Sequence, residues 1–264
     1  MNLQMDREFS GKVALVTGSS RNLGAVIARA LAERGAQVAV HYAKHADDAQ
    51  RVARQIQDSG GVAEVFRADV GDSGEVRRLA AEVLARFGRV DILVNNVGPY
   101  ADIPFLDLSE DVWDSVLNSN VKASYLLAQA LAPGMKQRGW GRIVNLAAVS
   151  AFVRVHSIYG LAKAAVIHLT QCLALELAPE IRVNAIAPGQ IQESDEIEHI
   201  APGYIAQMTE ATPLRRLVTR QEVADAACLL CSDRLPSLTG QTLVLDGGWS
   251  VPVGRKAPVL NVSI

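Results

Sequence analysis

Only three cysteines occur in 264 residues, too few for a disulfide framework. Cys228 and Cys231 make a lone C-x-x-C in an apolar helical stretch. No second ligand pair accompanies them, so two small apolar side chains are expected there and no metal. An excess of one charge is also missing. Twenty-six Lys and Arg against 28 Asp and Glu leave −2, which gives nucleic acid or an anionic membrane nothing to hold. No uninterrupted apolar run reaches the roughly 18 residues of a membrane span. Met1 to Ser10 carries Asp6, Arg7 and Glu8 but no apolar signal core, so a cytoplasmic, reducing setting is expected.

What is present is a regular alternation of strand-like and helix-like runs. Strands are expected at Lys12–Val16, Gln37–Tyr42, Val62–Arg67, Asp91–Val94, Arg142–Leu146, Arg182–Ile186 and Thr242–Leu245. Helices are expected at Leu23–Arg34, Ala46–Asp58, Ser73–Phe87, Ser157–Leu177 and Gln221–Cys231. A long helical region, Glu110 to Arg138, is expected to break near Pro133-Gly134. The pattern predicts an α/β fold: a single domain with a Rossmann-type, doubly wound parallel β-sheet flanked by helices on both faces. Pro188 to Pro213 is polar, holds five acidic residues and lacks a strong period, so it is expected to be a substrate lid. Val251 to Ile264 is expected to form an irregular tail.

The first strand leads into Thr17-Gly18-Ser19-Ser20-Arg21-Asn22-Leu23-Gly24. A strand, a small-residue turn and a helix start make an anion site, because free backbone N–H groups and the helix dipole favour negative charge. The turn resembles the T-G-x-x-x-G-x-G of short-chain dehydrogenases/reductases, with Asn22 in place of the middle glycine. Asn tolerates a left-handed backbone, so the turn is expected to survive. The resemblance extends over residues 12 to 250, especially to members of the 3-oxoacyl-ACP reductase kind. Asp69-Val70 is similar to the pair that contacts adenine. Asn95-Asn96-Val97-Gly98 is similar to the family's N-N-A-G, Asn120 to its helix asparagine, and Pro188-Gly189 to its P-G. Thr239-Gly240-Gln241 and Asp246-Gly247-Gly248 are similar to its C-terminal signature.

The resemblance implies a dinucleotide cofactor. Its expected site is Gly18, Ser20, Arg21, Asn22, Leu23, Tyr42, Lys44, Asp69, Val70, Asn96, Gly98, Tyr159, Lys163, Pro188, Gly189 and Ile191. The second strand ends His41-Tyr42-Ala43-Lys44-His45, with no carboxylate before Asp47 to hold a ribose 2′-hydroxyl. Arg21 and Lys44 can meet a 2′-phosphate, so NADP(H) is preferred, with NAD(H) as the alternative.

Tyr159 and Lys163 stand four apart and share a helix face. A free phenol titrates near about 10, and an adjacent ammonium is expected to lower that value. The resemblance implies that Tyr159 is the general acid/base and that Lys163 also holds the nicotinamide ribose, with Asn120 behind it. Two departures stand out. Ala148 occupies the position where the family's serine bonds the substrate carbonyl, and Glu193 stands where a threonine often contacts the carboxamide. Ser150 is the expected substitute, with Ser157 and His156 as further candidates.

Three functions stay open. One is an NADP(H)-dependent reductase of a ketone or 3-oxoacyl group. Another is the same fold with elimination or isomerisation chemistry. The third is a cofactor-binding protein with little turnover. Aromatic residues are only 5% of the chain, so Pro99, Tyr100, Phe152, Tyr204 and Met208, in loops expected to wall the pocket, suggest an apolar or aromatic small-molecule carbonyl substrate. The apolar helices over 110–138 and 157–178 predict a homodimer or homotetramer.

Overall fold

Val13–Val16 reads Val-Ala-Leu-Val and every residue of it is buried, as a strand covered on both faces must be. Ala14 and Val16 face one apolar layer with Ile27 and Leu31. Val13 and Leu15 face the other, with Leu79 and Leu127. The same logic holds across the sheet. The computed structural model describes residues 7–153, 157–193 and 201–251. Among them, β1 (Val13–Val16), β2 (Gln37–Tyr42), β3 (Ala63–Arg67), β4 (Ile92–Asn95), β5 (Gly141–Leu146), β6 (Ile181–Pro188) and β7 (Thr242–Leu245) form one parallel sheet. Its order is β3-β2-β1-β4-β5-β6-β7. The order reverses between β1 and β4, which opens a crevice at the carboxyl ends of those strands.

The flanking helices are α1 (Asn22–Glu33), α2 (Ala46–Asp58), α3 (Ser73–Phe87), α4 (Glu110–Leu117), α5 (Ala123–Gln137), α6 (Ile158–Leu177), α7 (Tyr204–Ala211) and α8 (Arg220–Cys231). Side-chain caps start several of them: Asp72 for α3, Ser109 for α4, Ser157 for α6, and a Thr219/Glu222 capping box for α8. At the amino end of the sheet the buried Asp91 accepts hydrogen bonds from the Val13 amide at 2.9 Å and from both Arg89 and Arg138.

The long helical region breaks at a different place from the expected one. Pro133 lies inside α5. It is exposed, and so is Gln129, whose carbonyl loses its usual donor, so water can serve that carbonyl while Leu131 and Met135 hold the helix on the core. The irregularity falls instead at Asn118–Lys122, a π-helical stretch that carries Asn120. The expected lid is not wholly irregular either. Residues 194–200 lie outside the described residues, but α7 forms within the segment, from the helix formers Ala206, Gln207, Met208 and Glu210. Of the expected tail, residues 252–264 lie outside the described part. By length and apolarity α6 would suit a membrane. It is a core helix, with Ala162, Lys163, Val166 and Leu173 buried against the sheet and its neighbours.

Candidate active site

The turn after β1 is held from several sides. Asn22 sits at φ 51°, the left-handed backbone that Asn tolerates, so its replacement of a glycine leaves the turn intact. Gly24 packs so closely that a Cβ would stand 2.2 Å from the Gly18 carbonyl oxygen. Thr17 Oγ1 accepts the amides of Asn96 and Val97 at 2.9 and 3.2 Å. Asn96 Nδ2 donates back to the Thr17 carbonyl at 2.9 Å, so the turn and the end of β4 are stitched into one wall.

Against this wall lies a cleft of about 500 Å³. Its lining includes Gly18, Ser20, Arg21, Asn22, Leu23, Tyr42, Lys44, Asp69, Val70, Asn96 and Gly98, all expected from the sequence. It also includes His41 and Ser119, which the sequence did not single out. His41 reads in sequence as one more residue of an apolar strand end, and only its burial under the turn reveals it. Glycine at 18, 24 and 98 keeps side chains out of the cradle, and Asn120 Oδ1 is buried without a partner nearby. The residues present fit a dinucleotide.

Asn120 and Lys163 adjoin this cleft at Gly98. A Cβ there would stand 2.3 Å from Asn120 Oδ1 and 2.7 Å from Lys163 Nζ. Asn120 is aimed by the π-helical stretch, and its Nδ2 donates to the Val116 carbonyl at 2.9 Å. Lys163 is 3% exposed and donates to the Leu146 carbonyl at 2.7 Å. Its Nζ lies 5.3 Å from the centre of the Tyr159 ring. A buried chain, Asn95 to Asn145 to Thr170, ties β4 and β5 to α6, the helix that carries both residues.

The electrostatics differ from the expectation. Burial pushes Tyr159 up to about 12, with Tyr100 adding to it, and burial pushes Lys163 down to about 7. Both shifts favour the neutral forms, because burial penalises each charged form. Tyr100 packs edge-on against Tyr159 at 5.1 Å, and its own phenol is raised by burial, by Asp102 and by Tyr204. Tyr100 and Tyr159 are therefore in ring contact, while Phe152 is exposed and Met208 lies on α7.

Ala148 follows β5, and Ser150 lies two residues on, in the 3-10 segment Val149–Ala151. Ser150 Oγ is buried with no hydrogen-bond partner among the described residues. Ser157 Oγ accepts the Gly160 amide at 3.2 Å as the cap of α6. His156 lies outside the described residues. Pro188 ends β6, Gly189 packs on Asp246, and Ile191 bridges Val218. These three do not line the cleft, and neither do Tyr159 and Lys163, of which Lys163 approaches it at Gly98. Glu193 is spent elsewhere: its carboxylate accepts the Arg220 amide at 3.1 Å, and its carbonyl accepts from the Arg220 guanidinium.

Comparison with known proteins agrees with this architecture. The family model described as Enoyl-(Acyl carrier protein) reductase matches residues 18–250. A 3-oxoacyl-[acyl-carrier-protein] reductase of Staphylococcus epidermidis is 38% identical over 240 residues, covering 90% of this chain and 98% of that protein. A gluconate 5-dehydrogenase from Burkholderia cenocepacia, solved with NADP and tartrate, superposes with a TM-score of 0.85 at 33% identity, covering 93% of this chain and 98% of the other. A 7α-hydroxysteroid dehydrogenase, solved with NADH and 7-oxo glycochenodeoxycholic acid, gives 0.87 at 35% identity, covering 94% and 98%.

Proposed function

The chain belongs to the short-chain dehydrogenase/reductase family of oxidoreductases, and on that premise we propose that it is an NADP(H)-dependent reductase of a ketone or 3-oxoacyl carbonyl. The observation that carries this reading is the meeting of Lys163 and Asn120 at Gly98, where the dinucleotide cleft adjoins Tyr159. The turn 18–24 would hold the pyrophosphate, Asp69 and Val70 the adenine, and Arg21 and Lys44 the 2′-phosphate. When bound, the reduced nicotinamide supplies hydride to the carbonyl carbon, and its oxidised form supplies a positive charge.

Tyr159 gives its phenolic proton to the carbonyl oxygen as that oxygen gains charge. Lys163, in its ammonium form, returns a proton to the phenolate, and Asn120 orients the path behind it. The buried, unpartnered hydroxyl of Ser150 supports its use as the second donor to the carbonyl oxygen in place of Ala148. The stretch 188–213 would close over the substrate. The Tyr100 ring against Tyr159 supports an apolar or aromatic substrate.

Ala148 keeps a second reading in view, in which Tyr159 is the base of an elimination or isomerisation. NADPH consumption across a panel of ketones tests the proposal. Turnover is expected, with NADPH bound more tightly than NADH. Tyr159→Phe is expected to lower turnover by about 10²-fold or more while leaving cofactor affinity in place. Tight cofactor binding with no ketone reduced would overturn the reductase reading.

A further inference from the structure

One buried imidazole joins the two halves of the cofactor cleft. His41 is the penultimate residue of β2 and 1% exposed. Its ring reaches in two directions. Nδ1 accepts the Gly18 amide at 2.8 Å, and Nε2 lies 3.0 Å from the Ala68 carbonyl oxygen. Its backbone is engaged as well: the His41 amide donates to Ser19 Oγ at 2.9 Å, and the Ser19 amide donates to the His41 carbonyl at 2.9 Å. An amide N–H can only donate and a carbonyl can only accept. The two ring contacts therefore select one form, the neutral imidazole with its proton on Nε2. Burial holds the ring well below its usual range, at about 4, even though Ala68 and the facing carboxylate of Asp69 pull the other way.

Gly18 opens the phosphate turn, and Ala68 directly precedes Asp69 and Val70 on the opposite side of the cleft. We propose that His41 is a positioning residue for the dinucleotide, which fixes the distance between the turn at 18–24 and the wall at 69–70 through its two ring hydrogen bonds. The proposal rests on the cofactor reading above. Neutral hydrogen bonding suits this task better than charge would. A protonated ring would turn an N–H toward the Gly18 N–H and push the turn away.

Three substitutions separate the contacts. His41→Asn keeps an acceptor near Nδ1 for Gly18. His41→Gln can keep a donor near Nε2 for Ala68. His41→Phe fills the volume and keeps neither. The dissociation constants of NADPH and NADH are measured by fluorescence titration of the full chain, alongside thermal melts. His41→Phe is expected to weaken both nucleotides about 10- to 100-fold, by a similar factor, since the pyrophosphate and adenine are common to them. His41→Asn and His41→Gln are expected to recover part of that loss. In the wild type, the ¹⁵N shifts of His41 should report an unprotonated Nδ1 and a protonated Nε2 down to about pH 5. The proposal fails if His41→Phe binds as tightly as the wild type, or if Asn and Gln rescue nothing. It also fails if the ring titrates like an exposed histidine. A wild type that binds neither nucleotide overturns the cofactor reading itself, and this inference with it.

Discussion

Gly98 and Lys163 are in such close approach that a single added methyl would collide with the lysine nitrogen, at 2.7 Å. The same methyl would stand 2.3 Å from Asn120 Oδ1. Glycine at 98 is thus a condition for the lysine and asparagine to share one side of the site. Gly98→Ala is expected to displace both groups while leaving the sheet folded. A shift of about 1 Å in such a group costs on the order of 10²-fold in rate. Steady-state turnover together with circular dichroism checks this, and full activity in the Gly98→Ala variant would contradict the arrangement described.

Ser150 presents a buried hydroxyl with no hydrogen-bond partner among the described residues. A hydroxyl that waits for a substrate oxygen should matter to the rate and little to the fold. Ser150→Ala is expected to reduce kcat by about 10²–10³-fold with nucleotide affinity unchanged. If kcat survives, the donor is elsewhere, and Ser157 is the next residue to test.

The lysine also leaves a mark on stability. Its value falls from 10.5 toward about 7 on folding, because burial penalises the charged form. The unfolded chain therefore binds more protons than the folded one between about pH 7 and 10.5. Stability attributable to this group rises with pH across that window, and the charge penalty is fully present below it. The whole span is on the order of 5 kcal/mol. Relative to Lys163→Met, the wild type should gain in urea midpoint between about pH 7.5 and 10. A difference that stays constant with pH would show that the ammonium is not desolvated.

Trp113 on α4, Tyr125 on α5, and Leu161 and Leu175 on α6 are all exposed, Leu175 at 86%. Large apolar side chains left outside on the helices that flank the site are expected to be covered by a second copy of the chain. Sedimentation at micromolar concentration should give a dimer or tetramer. Tyr125→Glu with Leu175→Glu should shift it toward the 28.3 kDa monomer. A wild type that sediments as that monomer would remove the homo-oligomer from the account.

Most of the fold was legible in residue order. Runs such as Val13–Val16 and Ile92–Asn95 are apolar almost throughout because both faces are covered, and a helix such as α2 buries one stripe, Ala49, Val52, Ala53 and Ile56. Asn22 was also legible as a left-handed position, since few side chains accept that backbone. The placement of Tyr159 and Lys163 on one helix followed from their spacing. What spacing could not show was Pro133 riding inside α5, because tolerance of a proline depends on which side of the helix meets water. Nor could it show α7, whose eight residues include none that are buried to mark a stripe.

The sequence by itself determined the parallel sheet, the left-handed turn at Asn22 and the sharing of one helix by Tyr159 and Lys163, because local periodicity and backbone preference act over a few neighbours. Tertiary structure alone decided the electrostatic state of Tyr159 and Lys163, the engagement of Glu193 by Arg220, and the meeting of His41 with Gly18 and Ala68. Those depend on desolvation and on contacts between residues distant in the chain. Neither can be read from one side chain and its neighbours in order, since the free energy of a buried polar group is set by what surrounds it in space.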